Sequence, residues 1–146
     1  MIIPITLAIK GLLFSALLLY AAISDIKKRE IDNFVPVSIL IISLIETGGS
    51  FWGAVITVLP FLIPALIRSG SIGGGDIKLM FACGAVLGIG YGLLQTIIAL
   101  SLVAVFSLGI LITKGSTACK NKTIPLAPFL CVGGILTFIL SNMGGI

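Results

Sequence analysis

Four apolar stretches, 2–24, 34–68, 77–113 and 124–140, take up most of this 146-residue chain, and charged or glycine-rich segments separate them. An α-helix rises about 1.5 Å per residue, so about 20 residues cross the hydrocarbon layer of a bilayer. The first and last stretches are each one span long. The two middle ones are too long for one span and fit a tight pair. They break naturally at Glu46-Thr47-Gly48-Gly49-Ser50 and at Gly88-Ile89-Gly90-Tyr91-Gly92, clusters that punctuate helices. The pattern predicts an all-α, polytopic integral membrane protein of about six transmembrane helices (about 2–24, 34–46, 51–68, 77–88, 92–113 and 124–140), with the second and fourth short. All six belong to one membrane-embedded domain over 1–146. Composition agrees: 58% of the residues are hydrophobic and 10% charged, against about 45–50% and about 25% in soluble domains.

Basic residues fall in every second loop. Lys27, Lys28 and Arg29 lie in 25–33, Arg68 and Lys78 in or beside 68–78, and Lys114, Lys120 and Lys122 in 114–123. Cytoplasmic loops are enriched in Lys and Arg, so these loops are placed inside and both chain ends outside. Lys10 stands apart and is expected to snorkel to the outer interface. The net charge of +4 then reflects contact with anionic head groups rather than nucleic acid. Leu18–Ser24 loosely suggests a signal-peptide cleavage site, but the start of the chain lacks a basic segment and Lys10 interrupts the apolar run, so 2–24 reads as a span.

The chain has no His, which excludes Ser-His and Cys-His nucleophile pairs and zinc proteases of the HExxH type. Cys83, Cys119 and Cys131 lack CxxC spacing, so neither a structural zinc site nor a disulfide framework is expected. Acid–base chemistry falls to few groups. Three of the five acids, Asp25, Glu30 and Asp32, share the first inner loop. Asp76 stands in the second, and Glu46 is alone on the far side.

Each acid has a plain structural reading. Asp25 sits at the C-terminus of the first helix or one turn inside a continuing one; it can pair with Arg29 at i, i+4 or end the span in water, although a carboxylate at a helix C-terminus opposes the dipole. Asp76 before Ile77 is a good N-cap, and Gly73-Gly74-Gly75 can be a flexible linker. Asp32 can cap the second helix, or share a face with Asp25 and Arg29 if the first helix continues. Glu30 and Glu46 read as interfacial residues. Together, Asp25 and Asp76 allow more. Two neighbouring carboxylates do not both ionise easily, so one holds a proton while the other takes one from water. That is the chemistry of an aspartic protease, and glycines before Asp76 would let an extended substrate backbone approach closely.

Gly73-Gly74-Gly75-Asp76-Ile77-Lys78-Leu79 resembles the GxGDxKL signature of type IV prepilin peptidases. The loop Asp25-Ile26-Lys27-Lys28-Arg29-Glu30-Ile31-Asp32-Asn33 is similar to their other motif, an Asp followed by Arg and then Ile-Pro-Asn, with Asp32 in the position of the usual Pro. Ile124-Pro125-Leu126-Ala127-Pro128-Phe129-Leu130 resembles the last-helix motif. The three lie in the family's order and cover about 25–130. The first inner loop is too short for the methyltransferase region of bifunctional members, and the cysteines do not match its paired CxxC motifs, so the chain looks like the short, peptidase-only form. The resemblance implies a multi-pass aspartic endopeptidase of the cytoplasmic (inner) membrane. It would cleave the basic leader from pilin-like precursors at the cytoplasmic face.

In that reading Asp25 and Asp76 are catalytic, and Gly73, Gly75 and Lys78 serve the substrate. Lys78 either tunes a carboxylate or only snorkels. No metal or organic cofactor is implied, and the partners are the precursor and the lipid bilayer. Two other classes stay open: a small transporter or channel subunit, and a non-catalytic assembly subunit of a pilus or secretion system.

Overall fold

A computed structural model describes residues 5–45, 50–67, 72–120 and 124–144, with side chains left out over 114–120. Among the described residues every regular element is a helix: α1 (Ile5–Lys28), α2 (Phe34–Ser43), α3 (Phe51–Ile67), α4 (Gly74–Lys120) and α5 (Ala127–Met143). The Glu46–Gly49 turn, Arg68, Lys122 and the extreme chain ends lie outside the described residues, as do the side chains of Lys114, Cys119 and Lys120.

The 47 residues of α4 do not form one straight rod. Gly88 has φ +77°, a left-handed conformation that glycine alone adopts freely. A Cβ added to Gly92 would lie 3.5 Å from the Cα of Gly84. Eight residues along a straight helix are about 12 Å apart, so the chain doubles back at Gly88. The side chains of Cys83 and Gln95, twelve positions apart, are likewise close enough to influence each other. Thus α4 consists of two antiparallel arms, 74–87 and 89–120. The reversal falls in the glycine cluster at 88–92, as the sequence pattern predicts.

Close packing at the reversal explains its small residues. Ser50 donates its backbone N–H to the Ala85 carbonyl at 3.0 Å. A Cβ on Gly53 would come within 2.5 Å of the Gly84 carbonyl oxygen, and one on Gly84 or Gly92 would collide with Thr57. Small residues let helix backbones approach where side-chain burial is not the driving force. The interior beyond is apolar, built on Phe14, Leu18, Ile39, Phe61, Leu79, Met80 and Leu130, all fully buried.

The exterior is apolar too. Ile5, Leu66, Ile67 and Ile112 are each at least 76% exposed. Ile5–Lys28 and Gly74–Thr113 are long and apolar enough to cross a membrane, yet only 28% and 11% of their most apolar windows are buried inside the protein. The core helix of a soluble protein is mostly buried, so this surface suits lipid. The ten residues of α2 reach only about 15 Å, half of a hydrocarbon layer.

Two details go beyond the apolar pattern. First, of the two places open to Asp25 the structure takes the one inside a continuing helix: α1 runs past Ser24 and stops at Lys28, because Arg29 turns left-handed at φ +56°. Asp25 is therefore inside the last turn, and Asp25, Arg29 and Asp32 do not share a helical face. Second, Lys10 is buried within the protein. It is 5% exposed, and its Nζ donates to the Ile45 carbonyl at 3.2 Å, just past the end of α2. The four last carbonyls of a helix lack intrahelical partners, and an ammonium among them is well placed against the dipole.

Candidate active site

At the opposite end from the Gly88 turn, the last turn of α1 and the first turns of α2, α4 and α5 come together. The α1 chain leaves through Arg29, whose N–H donates to the Asp25 carbonyl at 2.9 Å, and Ser24 Oγ pins the next residue by donating to the Glu30 carbonyl at 3.0 Å. The 72–76 segment lies against this turn. A Cβ on Gly75 would stand 3.0 Å from Cβ of Ile31, so a side chain there would wedge the two segments apart. One on Gly73 would stand 3.1 Å from Asp76 Oδ2, whereas Gly74 faces open space.

The result is a pocket of about 230 Å³ lined by Asp25, Arg29, Glu30, Ile31, Asn33, Gly73, Gly74, Gly75 and Asp76. It brings together the two carboxylates singled out in the sequence and both glycines. They arrive from segments 51 positions apart, because α2 and α3 run out and back between them.

The two carboxylates are held differently. Asp25 is 7% exposed, and its Oδ2 accepts the backbone N–H of Ala127, the first residue of α5, at 3.0 Å. One of the unpaired donors of that helix end is satisfied from a position 102 residues away. Asp76 is not an N-cap, contrary to its plainest reading. It sits inside the first turn of α4, its own N–H donates to the Gly73 carbonyl at 3.1 Å, and its buried Oδ1 has no hydrogen-bond partner among the described residues. In the sequence expectation Asp76 stands one residue ahead of the fourth span, 77–88. Burial first, and then the negative charge of Asp25, push its carboxyl up to about 7. A buried carboxylate without donors loses its hydration, and a like charge nearby adds to the cost of ionising.

The other acids lie elsewhere. Asp32 Oδ2 accepts the Tyr20 hydroxyl at 3.0 Å and does not line the pocket. Its backbone carbonyl takes the Val35 N–H, and Asn33 rather than Asp32 stands at the cap position of α2. Glu30 lines the pocket; Glu46 lies outside the described residues. The described bond of Lys78 goes to neither carboxylate: Nζ donates to Asn33 Oδ1 at 2.9 Å. Among the described residues no group of three Cys, Asp or Glu side chains gathers as a metal ion requires.

Sequence reasoning missed three partners here. The Ala127 amide is a backbone group with no residue signature, although the 124–130 motif marked its neighbourhood. The Lys78–Asn33 and Tyr20–Asp32 pairs join residues 45 and 12 positions apart, which no local spacing rule connects.

The comparisons with known proteins agree with the motifs. The model of the type IV leader peptidase family matches residues 12–113. The chain is 28% identical over 140 residues to a prepilin leader peptidase/N-methyltransferase of Bacillus subtilis, covering 90% of this chain and 56% of that protein. It is 44% identical over 68 residues to the prepilin peptidase EppA of Methanocaldococcus jannaschii, covering 45% of this chain and 20% of that protein. The chain thus spans about half, or less, of the length of these curated relatives. No solved structure matches it. With a family match across most of its length and the family's motif residues lining one pocket, the chain belongs to the type IV leader peptidase family.

Proposed function

We propose that this protein is a membrane aspartic endopeptidase that removes the basic leader from pilin-like precursors, with Asp25 and Asp76 as its acid–base pair. The observation that carries the reading is the shared pocket of Asp25 and Asp76 beside Gly73–Gly75. A water between the carboxyls gives a proton to the charged one and attacks the scissile carbonyl. The protonated one polarises that carbonyl and then protonates the leaving amine, the division of labour of a dyad that shares one proton. Gly73 and Gly75 keep side chains away from the path of the substrate backbone. Six helical arms lie in the membrane, α2 and 74–87 too short to span it in full, with both chain ends outside and the carboxylate pocket toward the cytoplasm. The basic residues of 25–33 support that orientation.

The test is processing of a pilin-like precursor in membranes. Asp25→Asn and Asp76→Asn should each lower the rate by roughly a thousandfold or more, while Asp32→Asn retains cleavage. A non-catalytic assembly subunit would leave processing unchanged in all three variants. A transporter subunit would give no cleavage even in the wild type. Loss of activity on changing Asp32 in place of Asp25 would overturn the choice of pair.

A further inference from the structure

A second cavity adjoins the carboxylate pocket. It is a groove of about 430 Å³ between α2, α3 and the first arm of α4, with Val37, Leu40, Leu62, Ile77 and Phe81 among its walls. Among the described residues its polar lining is Asn33 and Lys78, and Asn33 also lines the carboxylate pocket. The two cavities therefore meet at one side chain. Consecutive residues of α4 divide between them, Asp76 toward the pocket and Ile77 toward the groove.

We propose that this groove receives the apolar segment of the precursor that follows the scissile bond, and that Asn33, oriented by Lys78, marks where the chain leaves the groove for the carboxylates. The inference rests on the endopeptidase reading. Helices α2 and 74–87 are both shorter than a bilayer, and the groove's exposed wall is apolar at Val37, which suits an occupant already in the membrane. An ammonium can only donate a hydrogen bond. Its 2.9 Å contact with Asn33 Oδ1 therefore turns the amide Nδ2, a donor, away from Lys78. At the junction it can hold a backbone carbonyl of an unwinding substrate helix, which must shed its own hydrogen bonds before a peptide bond is exposed. An apolar wall ending in one fixed amide beside two carboxylates matches an apolar helix that ends in a cleavable extended stretch.

The experiment compares two substrates of the full chain in lipid–detergent micelles: the whole precursor, and a peptide that spans the leader and cleavage bond but stops before the apolar segment. Val37 is 54% exposed, so Val37→Trp fills the groove without burying a misfit. It should lower kcat/KM for the precursor relative to the peptide by at least about tenfold. Leu12→Trp, in the separate groove between α1 and α5, should leave that ratio at the wild-type value. A photoreactive benzoylphenylalanine at Val37, in an Asp76→Asn background that keeps the precursor uncut, should crosslink to its apolar segment. These crosslinks need no turnover, so they decide the matter even if the peptide is a poor substrate. An unchanged ratio with crosslinks to lipid only makes the groove a lipid site and overturns the inference, as does an equal loss on both substrates. Either result leaves the endopeptidase reading standing, because that reading fails only if the Asp25 and Asp76 variants still cleave.

Discussion

The single residue with most leverage is Asp76. Its carboxyl is held up to about 7 by burial and by Asp25, well above the usual range near 4. Arg29 and Glu30 line the same pocket, and the sign of the combined effect follows from proton counting. Between about pH 4 and 7 the folded protein holds a proton on Asp76 that the unfolded chain has released, so stability falls as the pH rises through this window. Asp76→Asn keeps the neutral form at every pH. Its melting temperature should exceed that of the wild type at pH 8 and converge with it at pH 4, as thermal unfolding in detergent will show. Gly75 offers a second test at this scale. A methyl there meets Ile31, so Gly75→Ala should lose about tenfold or more in activity, and Ile31→Ala in the same chain should restore much of it. A loss that Ile31→Ala does not relieve would mean that Gly75 acts on the substrate directly.

At the scale of elements, the reversal at Gly88 and the docking of α5 decide the architecture. Gly88 has a positive φ but, among the described residues, nothing within 4 Å of a prospective Cβ. Gly88→Ala should therefore cost only the backbone strain, about 1–2 kcal/mol, visible as a lower unfolding midpoint. Gly84→Ala, which drives a methyl into Thr57 and the Gly53 carbonyl, should cost more. The turn was legible because three glycines within five residues have few other uses in an apolar run. The extent of α1 was harder to read, since nothing in Ser24-Asp25-Ile26-Lys27-Lys28 stops a helix and the stop comes from the conformation of Arg29. The partner of Lys10 was hidden for a related reason, since the Ile45 carbonyl is brought beside it only by folding.

For the whole molecule, the apolar lengths and the glycine breaks were enough to set antiparallel helices with the chosen acids at one end. The assignment of partners was not, because Asn33, Tyr20 and the Ala127 amide acquire their roles only through contacts between distant segments. The orientation is open to a direct check. In a cysteine-free background, Glu30→Cys and Ile72→Cys should both react with a membrane-impermeant maleimide applied from the cytoplasmic side, and Ser50→Cys only from the other. Labelling of the first two from opposite sides would separate the carboxylates and end the dyad.

The hydrogen bond from Ala127 to Asp25 ties α1 to α5, and on the proteolytic reading it bears on when cleavage can begin. A nascent chain that has emerged only as far as α4 already holds both carboxylates, yet one of them still lacks its amide. Cutting power would then arrive only once α5 has been made and docked, so that a copy halted before it leaves the surrounding membrane proteins alone.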